Sequence, residues 1–180
     1  REDRMSHGFV SNGNARTIAM PRRKERRGQC PLVIIAGPME FTVQETLCIG
    51  DGIRRRGADV EVFRMPPDFR MTEFIESLAG AAWLLLAISE FPGRELEMLR
   101  EAQHLGTRGP KIGIICLAER VQTSNSEHEG GTVDFIVRRT PLDMSLSSFS
   151  RSHHFLLADD LTSDAAANSI ASSIIPVSIR

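Results

Sequence analysis

Four residues that can carry out chemistry lie close together near the middle of the chain: Ser89, Glu90, Glu95 and Glu97. Carboxylates in such a cluster can attack an anomeric carbon, stabilise an oxocarbenium ion or transfer a proton. The spacing places Glu97 in the first turn of a helix, where the helix dipole favours its ionised form. Glu97 is therefore the predicted nucleophile or oxocarbenium stabiliser. An acid that only stabilises its helix is equally typical of this position, and Glu95 fits that role as well.

A strand and a helix are predicted to position these residues. The unbroken apolar run over 81–88 is typical of a strand that is buried on both faces, and Pro92-Gly93 then marks the start of a helix. In open α/β sheets, ligands bind at the carboxyl ends of the strands, close to helix N-termini. The sequence therefore predicts a ligand site at this strand-to-helix junction.

Apolar runs alternate with helical patterns along most of the chain, which predicts a doubly wound, flavodoxin-like parallel sheet of about five strands with an order near 2-1-3-4-5. The predicted strands cover 32–36, 58–63, 81–88 and 111–117, with further short strands at 133–137 and 154–158. The predicted helices cover 41–56, 72–79, 93–106 and a closing segment toward 175, capped by Asp160 or Thr162. Their inward-facing residues are predicted to be Val43, Leu47 and Ile53; Phe74, Ile75 and Leu78; and Leu96, Met98, Leu99, Ala102 and Leu105.

The 180 residues are predicted to form a single α/β domain over 31–180, preceded by a disordered basic leader over 1–30. The leader carries a net charge of +5 and the rest of the chain −6, with most of the excess in the run 21–27. A flexible leader explains this run; a nuclear-localisation signal or a nucleic-acid-binding arm is the alternative. The polar segment 119–131 is predicted to be a loop over the carboxyl edge.

The composition also limits the expected cellular compartment and the expected state of the cysteines. No apolar run is long enough for a membrane span, so we expect a cytoplasmic protein without a membrane partner, or a nuclear one if 21–27 acts as a signal. Cys30, Cys48 and Cys116 have no metal-type spacing and are expected to be reduced packing thiols. Neither a metal ion nor a cofactor is expected.

Two motifs together suggest a family. Residues 35–39, Ile-Ala-Gly-Pro-Met, follow the first strand, and Gly93-Arg94-Glu95-Leu96-Glu97 follows the third, with Ala102 and Gly106 further along that helix. Over about residues 32–117 this pattern resembles the nucleoside 2-deoxyribosyltransferase-like superfamily, which includes the deoxyribosyltransferases and the deoxynucleoside monophosphate N-hydrolases. The resemblance implies cleavage of an N-glycosidic bond, or deoxyribosyl transfer, on a nucleoside or nucleotide. It also implies a homo-oligomer.

The resemblance assigns roles to single residues. Glu97 corresponds to the superfamily nucleophile and Glu73 to the partner acid, and the two carboxylates would lie roughly 5 to 10 Å apart to flank one glycosidic bond. The aromatic rings of Phe41 and Phe91 are expected to pack in the core, as aromatic residues near strand ends more often do, with stacking on a base as the alternative. The residues expected to bind substrate are Gly37, Pro38, Met39, Phe41, Ser89, Phe91 and Gly93.

The chain also departs from the superfamily pattern. Ala81-Ala82 stand where an Asp is usual, Phe91 aligns with a phosphate-binding Ser, and Gly37 is not followed by the expected Arg. The absence of these superfamily residues favours a different hypothesis, a sensor that binds a nucleotide without catalysing a reaction. Two other hypotheses stay open: a Toll/interleukin-receptor-like domain that cleaves NAD, and a plain interaction module.

Overall fold

The computed structural model describes residues 30–65, 70–118, 133–138 and 155–176. The strands are β1 (Leu32–Gly37), β2 (Asp59–Arg64), β3 (Trp83–Ile88), β4 (Lys111–Cys116), β5 (Phe135–Arg138) and β6 (Phe155–Leu157). The helices are α1 (Val43–Arg54), α2 (Met71–Leu78), α3 (Arg94–His104) and α4 (Asp164–Ile174), and a 3-10 turn, Gly106–Arg108, follows α3. The predictions for the leader over 1–29 and for the loop over 119–131 lie outside the described residues.

The strands form one parallel sheet with the order β2-β1-β3-β4-β5-β6. The predicted parallel α/β sheet and the order 2-1-3-4 of its first four strands are confirmed. The predicted number of about five strands differs from the six in this sheet, in which β6 has only three residues. The connection from β2 passes over β1 to reach β3, so the direction in which strands are added reverses between β1 and β3. That reversal is the topological switch point of the sheet.

Two apolar layers cover the sheet because successive strand residues point to opposite faces. Ile34 and Leu84 pack with α2 and α3 on one face, whereas Val33 and Leu85 pack with α1 and α4 on the other. In β1 and β3 every residue after the first is buried, as the continuous apolar runs predict. The helices α2 and α3 therefore share one layer, and their N-termini lie at the carboxyl edge of the sheet.

The helix α1 differs from its prediction in the face that it buries. Val43 and Leu47, both predicted to face inward, are 56% and 53% exposed. Glu45 and Ile49 are buried in their place. The start of the helix explains this rotation, because the Thr42 hydroxyl accepts a hydrogen bond from the Glu45 N–H and the Glu45 carboxylate accepts one from the Thr42 N–H. This capping box turns Glu45 back toward the turn that precedes the helix.

Smaller corrections concern α2 and α4. Ile75 is 37% exposed rather than inward-facing, whereas Phe74 and Leu78 are buried as predicted. Ser163, and not Asp160 or Thr162, caps α4 by accepting a hydrogen bond from the Ala166 N–H. The three cysteines are free thiols, of which only Cys116 is buried. No helix in the described part of the chain is long and apolar enough to cross a membrane.

Candidate functional site

A crevice opens at the carboxyl edge of the sheet, at the switch point between β1 and β3. Its volume is about 330 Å³. The lining residues come from the turns after β1, β3 and β4: Glu40, Ser89, Glu90, Phe91, Leu117 and Ala118. This is the place where a doubly wound sheet exposes helix N-termini and strand ends to a ligand.

The turn between β1 and α1 forms one wall of the crevice and is held by close packing. A Cβ atom on Gly37 would lie 2.8 Å from Phe41 Cδ1 and 2.9 Å from Ala87 Cβ, so this position requires glycine. The Phe41 N–H donates a hydrogen bond of 3.1 Å to the Pro38 carbonyl, which folds the chain back over Gly37. Glu40 lies within this folded turn and is exposed to the crevice.

Arg64, at the end of β2, fixes the same turn from the side. Its Nη2 donates hydrogen bonds of 3.0 Å to the Phe41 carbonyl and 3.4 Å to the Met39 carbonyl. Its buried Nε has no hydrogen-bond partner among the described residues. The guanidinium thus donates to the main chain on both sides of Glu40 and restrains the backbone of this turn.

The turn between β3 and α3 forms the opposite wall, and Glu95, which does not itself line the crevice, is buried in the first turn of the helix that follows. This side chain is only 6% exposed, and its Oε2 accepts a hydrogen bond of 2.6 Å from the Gly93 N–H. Burial raises the pKa of Glu95 above its usual value of 4.5, because desolvation outweighs the stabilising hydrogen bonds from the N–H groups of Gly93 and of Glu95 itself. Glu95 is therefore an acid that keeps its proton to a higher pH than an exposed glutamate.

The two walls are electrostatically linked. The carboxylate of Glu40 makes the smallest of the contributions to the pKa of Glu95 and raises it, as a nearby like charge does. Glu40 thus lines the crevice, whereas Glu95 is buried in the first turn of α3 and is not among the lining residues. Such a difference in environment separates a proton donor from an ionised partner.

The predicted site residues divide into two groups. Ser89 and Phe91 line the crevice, and Phe91 is 68% exposed, so its ring is available to a ligand. Met39 is exposed on the same turn as Glu40. Phe41 is only 2% exposed and belongs to the core, so the alternative role of stacking on a base does not fit its place in this structure.

The predicted catalytic pair lies outside the lining of the crevice. Glu97 and Glu73 are exposed side chains in the first turns of α3 and α2, on the same face of the sheet. Neither belongs to the residues that line the crevice. Gly37 and Pro38 are buried beneath the turn, and Gly93 contributes its N–H to Glu95 rather than to open space.

The sequence predicted only a helix-stabilising role for Glu95. The spacing of Glu95 from Met98, Leu99 and Ala102 carried a signal, because these four residues fall on one helical face and all four are buried. Leu117 and Ala118 follow β4 directly and carried no chemical signal.

No protein-family model matches this chain, and no curated protein matches it. Several solved structures are similar to it. One is a flavodoxin-like domain from Synechococcus, with 17% identity and a TM-score of 0.48 over 78% of this chain and 92% of that chain. Another is the sugar isomerase domain of an RpiR transcription factor from Sphaerobacter thermophilus, with 13% identity and a TM-score of 0.45 over 81% and 70% of the two chains.

A third is a flavodiiron core from Synechocystis, with 11% identity and a TM-score of 0.49 over 83% of this chain but only 37% of that chain. The similarity of all three concerns the general α/β architecture. None of them carries functional information for this chain.

Proposed function

We propose that the chain cleaves the N-glycosidic bond of a nucleoside or nucleotide, or transfers its deoxyribosyl group, in the crevice between β1 and β3. The observation that carries this proposal is that an exposed carboxylate, Glu40, lines the crevice and interacts electrostatically with the buried carboxyl group of Glu95 at the start of α3. Two carboxyl groups in different environments are what glycosidic cleavage requires.

In this proposal Glu95 is the proton donor, and Glu40 faces the sugar. The bond between C1′ and the base nitrogen breaks with its electron pair on the base, and the base takes the proton of Glu95. The Glu40 carboxylate stabilises the positive charge that develops at C1′. In hydrolysis, water then adds to C1′ and returns a proton to Glu95; in transfer, the hydroxyl or nitrogen of an acceptor takes the place of that water. The products are the free base and the sugar or its transfer product.

Two other residues complete the proposed site. The exposed ring of Phe91 offers a stacking surface for the base. Glu97 lies in the same helical turn as Glu95 and is the alternative to Glu40 as the charge-stabilising carboxylate, as the resemblance to the deoxyribosyltransferase-like superfamily implies. The Toll/interleukin-receptor-like and sensor hypotheses make different predictions for the same assay.

Base release from a panel of deoxynucleosides, deoxynucleotides and NAD tests the proposal. We expect Glu95→Gln and Glu40→Gln each to lower kcat by about 10²- to 10⁴-fold, because each substitution keeps the size and removes the acid or the charge. Glu101→Gln, a substitution further along α3, is the matched control and is expected to keep wild-type activity. If Glu97→Gln abolishes release while Glu40→Gln does not, the charge-stabilising role passes to Glu97.

The remaining outcomes separate the competing functions. Release from NAD alone would support the Toll/interleukin-receptor-like hypothesis. Saturable nucleotide binding without any release would support the sensor. Full activity of Glu95→Gln would contradict the proposed mechanism.

A further inference from the structure

The outer edge of β2 has no neighbouring strand among the described residues, because β2 is the first strand in the order of the sheet. The N–H of Asp59, at the start of β2, donates to the Pro31 carbonyl on the side of β1. Main-chain groups alternate in direction along a strand, so those of residues 60, 62 and 64 point away from β1. This edge therefore offers hydrogen-bonding groups to one more strand.

One side of this edge is an apolar shelf, formed by Val43, Leu47 and Val62. These three side chains are 56%, 53% and 40% exposed. Val43, Leu47 and Gly50 share one side of α1 through their spacing of four and three residues. A Cβ on Gly50 would lie 3.6 Å from Val60 Cγ1, so this side of α1 faces β2. Val62 is two residues beyond Val60 and points to the same face of the sheet.

The other side of the edge is acidic. Asp59 and Glu61 alternate with the valines of β2 and therefore point to the face that α2 covers. There the Ser77 hydroxyl donates a hydrogen bond of 3.3 Å to the Glu61 carboxylate. Glu73 is exposed one helical turn before Ser77, on the same side of α2. Three carboxylates thus lie along this side of β2.

We propose that the β2 edge binds an extended segment of another protein in which apolar and basic residues alternate. Successive side chains of an added strand point to opposite faces, so one set would pack on the apolar shelf and the other would meet the carboxylates. A second copy of β2 is a poor occupant, because pairing two such edges brings like charges together. The inference does not depend on the proposed function, since none of these residues lines the crevice.

Fluorescence anisotropy with the full chain and a labelled synthetic peptide, in which valine and lysine alternate, tests the proposal. We expect saturable binding of one peptide per chain. With glutamate in place of lysine, we expect binding at least about tenfold weaker, because like charges then face each other. A third peptide keeps the valine–lysine sequence but is methylated at every main-chain amide, which removes its donors. Main-chain pairing predicts binding at least about tenfold weaker for this peptide as well.

Variants of the chain test the same surface. Val62→Pro removes an outward N–H and leaves the hydrogen bonds to β1, since an edge strand tolerates proline where its N–H faces outward. We expect it to weaken binding of the valine–lysine peptide at least about tenfold. Leu47→Ser is expected to weaken it about fivefold through lost apolar contact. The matched control is Ile75→Ser, at a 37% exposed position on the opposite side of α2 from Ser77, and it is expected to keep wild-type affinity.

The urea midpoint of Val62→Pro shows whether this variant folds, and the methylated peptide gives the same test with the wild-type chain. Binding that is unaffected by amide methylation, or equal for the lysine and glutamate peptides, would overturn the proposal. So would the absence of saturable binding. A wild-type dimer in analytical ultracentrifugation that Val62→Pro converts to a monomer would show that a second copy occupies the edge, and would overturn the occupant proposed.

Discussion

At the scale of single residues, Glu95 is subject to two opposing effects. Its burial removes water from the carboxylate, whereas the N–H groups of Gly93 and of Glu95 itself stabilise the charged form. Desolvation is the larger effect, and the nearby Glu40 adds to it. The same side chain thus closes the start of α3 and holds its proton to a higher pH than an exposed glutamate does.

The raised pKa of Glu95 predicts how stability depends on pH. The folded protein holds this proton more tightly than the unfolded chain, so the contribution of Glu95 to stability is greatest at low pH. That contribution is lost as the pH rises from 4.5, the usual value, through the raised value in the folded protein. We therefore expect urea midpoints of Glu95→Gln to improve relative to wild type across this interval.

The matched control for that measurement is Glu97→Gln, which removes a charge from an exposed position of the same helical turn. This control is expected to keep the pH dependence of wild type. Parallel stability curves for wild type and Glu95→Gln would contradict the raised pKa.

The chemical types in this cluster and the helical spacing of Glu95 with Met98 could be read from the sequence, but they did not decide which of the two first-turn acids is buried. Glu95 and Glu97 are both first-turn acids next to Gly93, and a motif resemblance favoured Glu97. Only the rotation of α3 about its axis decides that Glu95 points inward with Met98 while Glu97 points to solvent. That rotation depends on how α3 packs against the sheet. From the sequence alone, the apolar pattern favoured Leu96 as an inward-facing residue.

At the scale of elements, the turns after β1, β3 and β4 line the crevice, and the one between β1 and α1 is held by close packing. Its path depends on contact between Gly37 and the buried ring of Phe41, and on the hydrogen bonds from Arg64 to the carbonyls around Glu40. A small change under this turn is therefore expected to move Glu40.

Gly37→Ala tests this constraint. The added methyl group would lie 2.8 Å from Phe41 Cδ1, so the turn must shift, and we expect a loss of about 1–3 kcal/mol in the free energy of unfolding. Base release is expected to fall as well, because the shift displaces Glu40. Gly80→Ala is the control, since a Cβ there has no neighbour within 4 Å. Equal stability and activity of the two variants would show that the turn is not held as described.

The elements themselves were predicted well where one strong signal dominated. Continuous apolar runs identified β1 and β3, and Gly57, which follows the predicted helix over 41–56, has a positive φ of 85°. The face of α1 was predicted wrongly, because Val43 and Leu47 have helical spacing and yet face outward. The Thr42–Glu45 capping box, two polar residues, decides that orientation.

At the scale of the whole molecule, strand order determines where the chemistry is placed. Short connections and right-handed crossovers allow few alternatives, which is why a parallel sheet with β1 between β2 and β3 could be predicted from the sequence. The switch point follows from that order. The short strands β5 and β6 carry weak signals, because three or four residues cannot show a period.

The pH dependence of kcat for base release, measured for wild type and Glu95→Gln, tests the central claim most directly. If Glu95 donates the proton, the wild-type rate falls as the pH rises through the raised pKa of this buried carboxyl, above 4.5. In Glu95→Gln that fall is absent and the remaining rate is low at every pH. A Glu95→Gln variant with the wild-type rate and the wild-type pH profile would contradict the account.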